Sequence, residues 1–246
     1  MHFRVISCEV LARQVYYVAA LSPHTIDIEL VSKGLHTDPE VLRAELQRLV
    51  NGADGYDAIL LGYGLCSNSI AGLVCAHTQM VAPRAHDCIT FYLGSSDRYS
   101  EEFRANPGTY WYSADYIERG GDDGDRVSLG VSSDEEEMSQ VYQEYVSKYG
   151  QDNADYLMEV MGAWKQHYSR AAYIDSTEMP LPDYSDDVRD IASRRGWEFD
   201  RMAGSLLIVR DLLEGRWDEE RFLVVPPGHA IAPTYDQRII TQSLAE

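Results

Sequence analysis

The apolar positions of this chain alternate between two rhythms, and the alternation itself predicts an architecture. "FRVISCEV" at the start reads as a strand ending near Cys8, and "TIDIELVSKG" (25 to 34) as a second. In "KGLHTDPE" the period changes: Asp38 can cap a helix, Pro39 suits its first turn, and Leu42, Leu46, Leu49 and Val50 recur at helical spacing. "YDAILLGYG" (56 to 64) is a third, wholly apolar strand. A small-residue helix is expected after Cys66, and "QMVAPRAHDCITFYLG" (79 to 94) supplies a short strand, a loop and another apolar segment.

The last third repeats the rhythm, with strand "RAAYID", helix "DDVRDIASRRG", strand "WEFDRMAG", helix "LLIVRDLLEG" and strand "RFLVVPPG". Strand and helix in alternation predict an α/β fold with mainly parallel sheets and helices on their faces. Residues 41 to 64 and 205 to 228 share one order: helix, glycine, acidic-aromatic turn, buried strand, glycine loop. That likeness favours two pseudo-repeated Rossmann-like halves facing a cleft. The expected division is 1–118 for an N-terminal half carrying the cysteines, 119–138 for an acidic connector, and 139–246 for a helical segment and C-terminal half. Packing helices are expected over 135–150 and 153–168.

Composition narrows the picture. The chain has 246 residues, 45% of them hydrophobic, enough to bury a substantial core. A formal net charge of −19 argues against a nucleic-acid partner, whose phosphates call for Lys and Arg. No apolar stretch approaches the roughly 18 residues of a spanning helix, so a cytoplasmic protein with no membrane partner is expected. The four cysteines, Cys8, Cys66, Cys75 and Cys88, all lie in the first 90 residues, where free thiols or metal ligands are expected over disulfides.

The strand assignments place candidate chemistry at strand ends. Cys8 follows strand one, His36 strand two and Cys66 strand three, with His86 and Cys88 around strand four. In an extended segment His86 and Cys88 would face the same way about 7 Å apart. Imidazole and thiolate suit zinc first and iron second, so Cys66, His86 and Cys88 are candidate ligands with Cys8 and His36 in reserve. Glu9 or Asp87 can serve as an oxygen ligand or orient a histidine.

Gly62, Gly64 and Asn68 are candidate cofactor-binding positions, because a helix N-terminus after Cys66 would attract an anion and lower the thiol's pKa. Cys66 is equally a candidate nucleophile, with His86 or His36 as base and Asp87 or Asn68 as orienting group. His229, in "VVPPGHAI", would point into the same cleft if the halves face each other. Cys75 is read as core. Purely structural cysteines are the plain alternative, cysteine being among the most buried residue types.

Five ordered blocks carry a resemblance: "KGLHTDPEVLRAELQ", "YDAILLGYGLCSNSIAGL", "PRAHDCITFYLGSSDRY", "NPGTYWYSADYI" and "RFLVVPPG". In this order they resemble the bacterial and archaeal family called domain of unknown function 1638. The resemblance implies a setting, corrinoid-dependent methyl transfer, in which zinc held by Cys and His activates a thiolate acceptor. It implies a corrinoid protein or methyltransferase as partner, since no corrinoid-binding D-x-H-x-x-G motif is present here. A metal-dependent enzyme or accessory of one-carbon metabolism, acting on a small molecule in the cleft, is therefore the leading expectation. A non-catalytic partner-binding or metal-delivery module and a metal-free Cys66 enzyme stand beside it.

Overall fold

A computed structural model describes residues 1–66, 68–119, 168–234 and 236–245. The expected acidic connector and the two helices over 135–150 and 153–168 lie outside the described residues, apart from Arg119 and Tyr168 at their margins. The chain forms two compact units, one of Met1–Tyr99 with Gly204–Glu246, the other of Ser100–Ala203. The boundaries expected at 118 and 139 both fall inside the second unit.

The first unit is built on a five-stranded sheet in the order β2-β1-β3-β4-β8. Its strands are β1 (His2–Cys8), β2 (Thr25–Val31), β3 (Ala58–Gly62), β4 (Met80–Pro83) and β8 (Phe222–Val225). The first four run parallel, and β8 joins β4 antiparallel. β3 is buried along its whole length, which is why "AILLG" reads as an unbroken apolar run and not as an alternation. β2 lies at the free edge and is mostly half-buried, so Asp27 and Glu29 alternate there with Ile26, Ile28 and Leu30.

The helices of this unit follow their sequence signals. α1 (Ala12–Leu21) buries Val15 and Val18. α2 (Pro39–Asn51) starts where Asp38 Oδ1 accepts from the N–H groups of Glu40 and Val41, at 3.1 and 3.2 Å, and buries the four predicted residues. α3 (Cys88–Leu93) begins with Asp87 accepting from Ile89 N–H at 2.9 Å and ends at Gly94, φ +74°. α4 (Ser96–Ala105) follows it, and its residues from Ser100 onward belong to the second unit.

In the second unit β5 (Thr109–Ser113), β6 (Arg170–Asp175) and β7 (Glu198–Ala203) form a parallel sheet in that order, with α5 (Ala114–Glu118) and α6 (Ser185–Arg195). Its core joins Tyr110, Tyr112 and Tyr173 to Val188 and Ile191. Arg170, 7% exposed, is paired with Glu102 at 3.0 Å and with Asp200. The two carboxylates offset the burial of the guanidinium, which is costly when left unpaired.

α7 (Leu207–Leu213) belongs to the first unit, and a hairpin of β9 (His229–Pro233) and β10 (Ile240–Leu244) ends the chain. The mixed α/β fold with mainly parallel sheets is as the pattern predicts. The two segments matched as a repeat are arranged differently from that expectation. Residues 41 to 64 and 205 to 228 both lie in the first unit, and their strands, β3 and β8, occupy one sheet on either side of β4 with opposite directions.

Helix followed by strand is not where the chain after Cys66 goes. The described residues between 66 and 79 form turns and bends and no helix, since Cys66, Asn68 and Gly72 take φ of +44°, +66° and +84°, which an α-helix cannot accommodate. Gln47 holds this segment like a strand neighbour, accepting from Val74 N–H at 3.0 Å and donating to Val74 O at 2.7 Å.

β1 and β3 approach so closely at their ends that Gly62 has no room for a side chain: an added Cβ would lie 2.2 Å from Ser7 Oγ. Gly62→Ala is expected to cost about 1–3 kcal/mol by overpacking. The check is urea unfolding, where the midpoint should fall with the slope unchanged.

Candidate thiol and imidazole site at the strand ends

Strand order decides where a ligand can sit in such a sheet. From β1 the chain moves outward to β2, then crosses back over β1 to reach β3 and β4. The loops leaving β1 and β3 therefore turn in opposite directions, and the crevice between their carboxyl ends is the topological switch point where α/β sheets bind ligands. Cys8 is the last residue of β1, and Tyr63, Gly64 and Cys66 follow β3. The turn after β2 carries His36, and the turn after β4 carries Asp87 and leads into Cys88, the first residue of α3.

The structure puts Cys8 Sγ 3.4 Å from His36 Nε2. Cys8 is 4% exposed and His36 half-buried, with its ring stacked on Tyr63, the planes 20° apart and the centroids 5.9 Å. Burial lowers the His36 pKa from 6.5, so the ring is neutral at pH 7 and Nε2 can accept from the thiol. Tyr63 is 1% exposed, and its hydroxyl makes no hydrogen bond of normal geometry among the described residues. Burial first, then the neighbouring Cys8 and Cys66, push this phenol far above its ordinary range, so it stays a proton donor.

Cys66 and Cys88 belong to the same neighbourhood. Both are free and half-buried as residues, and burial of the thiol is the main reason each pKa is raised. Asp87 acts next on both, followed by Cys8 on Cys66 and by Cys66 and Cys8 on Cys88. Two loop contacts bring them together: Cys66 N–H donates to His86 O at 2.8 Å, and Leu65 N–H to Ala85 O at 2.8 Å. Gly64 permits this, since an added Cβ would come within 2.7 Å of the Asp87 nitrogen. Asp87 is itself raised by burial, against the lowering effect of Tyr99, whose hydroxyl donates to Oδ2 at 2.9 Å. Tyr92 Oη donates to Val10 O at 2.5 Å, tying α3 to the turn beyond Cys8.

Several expectations change here. No helix N-terminus follows Cys66, so the expected lowering of its pKa is replaced by a rise. His86 and Cys88 do not share an extended face: Asp87 caps α3, Cys88 is its first residue, and the His86 residue is exposed. The Asp87 cap and the Gly94 stop are helix signals that the apolar reading of this segment passed over. Gly62 and Gly64 serve backbone approach, to Ser7 and Asp87. Asn68 is exposed and presents its carbonyl to Arg43 Nη2 at 2.9 Å.

His229 begins β9 with Nδ1 3.3 Å from Pro227 O, a local contact. Cys75 is 1% exposed, its sulfur 3.6 and 3.7 Å from the two ring nitrogens of His77, so the thiol lies against the ring. The residues at the strand ends all come from the first unit, where the sequence reading expected an inter-half cleft. Among the described residues no three His, Cys, Asp or Glu side chains are gathered to hold a metal ion. A groove of about 540 Å3 lined by Arg4, Tyr16, Ala19, Ala20, Ile26, Asp27 and Ile28 lies along α1 and β2, away from the Cys/His set.

Fold and site define an α/β protein with a cluster of free thiols at the switch point of a mainly parallel sheet. The chain belongs to the family described as Protein of unknown function (DUF1638), whose model matches residues 30–213. Neither a curated protein nor a solved structure gives a significant match. No described helix is long and apolar enough to cross a membrane.

The lowered His36 pKa has a consequence for stability. The unfolded chain takes up a proton near pH 6.5 that the folded ring refuses until lower pH, so the unfolded state binds more protons in that window. Stability is expected to fall as pH drops below 6.5 and to level off beneath the folded pKa. Denaturation midpoints from pH 7.5 down to about 5 check this, and His36→Gln should flatten the profile.

Proposed function

We propose that the strand-end cluster is a Cys/His centre for a soft metal ion, zinc before iron, in a protein of one-carbon metabolism linked to corrinoid-dependent methyl transfer. The observation that carries the reading is the Cys8–His36 contact. A tetrahedral zinc with S and N ligands at ordinary bond lengths separates them by about 3.6 Å, and the two atoms stand 3.4 Å apart.

Cys66 and Cys88 are the residues from which further ligands would come; His86 is the weaker candidate because it is exposed. The field supports a cation, since the charged group acting on both thiols is Asp87. Buried thiols with raised pKa values are poor nucleophiles in isolation, whereas a coordinating thiol is deprotonated outright. A bound zinc would supply activation of a thiolate acceptor. The corrinoid, on this reading, belongs to a partner protein, and the centre works in the cytoplasm as a methyltransferase or an accessory to one.

A second reading rests on the same contact without a metal. The neutral His36 can take the proton of Cys8, which makes Cys8 a thiol nucleophile in the place where sequence put Cys66.

Elemental analysis of untagged protein, purified anaerobically and reconstituted, separates the two. About one zinc or iron per chain, lost in Cys8→Ser and His36→Ala, is expected for the metal centre. A wild-type protein that remains metal-free overturns it and leaves the nucleophile reading. Turnover against simple partner binding then distinguishes an enzyme from a delivery module.

A further inference from the structure

His36 owes its place to a turn that cannot hold itself. Residues Lys33–Thr37 form a single short 3-10 segment, an element with poor hydrogen-bond geometry that is seldom stable alone. Its start is capped by Ser32, whose hydroxyl accepts from Gly34 N–H at 3.3 Å. That cap is in turn gripped by Glu9: Oε1 accepts from Ser32 Oγ–H at 3.1 Å and from Lys33 N–H at 2.8 Å. Glu9 is the residue directly after Cys8, so one carboxylate oxygen links the turn that bears the imidazole to the end of the strand that bears the thiol. On the inner side the Tyr63 ring stacks against His36.

We infer that Glu9 is the positioning residue of the Cys8–His36 pair, clamping the His36 turn so that the imidazole meets the thiol. This rests on the reading of Cys8 and His36 as the working pair, with or without a metal. What the clamp requires at position 9 is an acceptor oxygen at the end of a three-carbon side chain, and the amide oxygen of glutamine supplies one. Alanine does not. Loss of the clamp removes the carboxylate that joins the start of the turn to the residue after Cys8, and small displacements of a reacting pair are costly.

The test uses the full chain after metal is stripped with a chelator, with iodoacetamide as the probe at neutral pH and the alkylation rate at Cys8 followed by peptide mass mapping. The step is a displacement: the Cys8 sulfur bonds to the methylene carbon, iodide leaves, and the thiol proton goes to His36. His36→Ala should slow alkylation at Cys8 by about tenfold or more. Glu9→Ala should slow it by about threefold or more, Glu9→Gln should stay within about twofold of the wild type, and Ser32→Ala, which removes one of the two donors together with the cap on Gly34, should slow it by more than about twofold.

Cys66 and Cys88 in the same molecules are internal controls, because a general loosening would speed all three thiols. Zinc retained per chain before chelation, on the metal reading, should follow the same order of variants. An unchanged Cys8 rate in His36→Ala overturns the pair itself, and the clamp with it. A clear loss in His36→Ala with no loss in Glu9→Ala, or Glu9→Gln behaving as Glu9→Ala, overturns the clamp alone. If Glu9→Ala fails to fold, Ser32→Ala and Glu9→Gln decide on the same terms.

Discussion

The close approach of β1 and β3 at their carboxyl ends is the constraint on which the site depends. Gly62 sits directly against Ser7, with no space for even a methyl group. Two residues further on, Gly64 lets the turn after β3 lie against the backbone of Asp87 in the turn after β4. Three strand ends are thereby drawn together at the place where the sheet's connections diverge. Cys8, Cys66 and Cys88 are carried there by the backbone. Their side chains do not create the neighbourhood.

Burial then sets the chemistry. Apolar strands and stacked aromatic rings remove water from the thiols, from the His36 imidazole and from the Tyr63 phenol, and each responds by favouring its neutral form. A cluster of neutral thiols beside a neutral imidazole is at rest. On the two proposed readings it is made reactive by a cation that replaces the thiol protons or by an electrophile that draws one onto the imidazole. Both proposed readings follow from this one electrostatic condition, and so they can be separated by metal content alone.

The short elements around the cluster are held by single polar side chains acting on backbone groups. Asp87 starts α3, Asp38 starts α2, Ser32 and Glu9 hold the turn between β2 and α2, and Gln47 holds the chain beyond Cys66. These are the places where the local backbone has no strand or long helix to satisfy it. A site assembled from such turns takes its accuracy from those hydrogen bonds, whereas the strands beneath supply its rigidity.

Much of this was legible in the chain. The apolar runs marked β1, β2, β3, β6, β7 and β8, and the cap and spacing of α2 were readable because helix and strand periods are local properties. So was the placement of Cys8, His36 and Cys66 at or after the carboxyl ends of successive strands. Tyr63 and Glu9 were not legible in their roles, since stacking on an imidazole and gripping a distant turn depend on register between strands far apart in sequence. Nor was the destination of β8: "RFLVVPPG" has the same pattern in a second half as beside β4. Composition and period determined the elements and the class. Only the tertiary structure decided which strand lay beside which, because pairing is set by the packing of whole faces and not by any single segment's pattern.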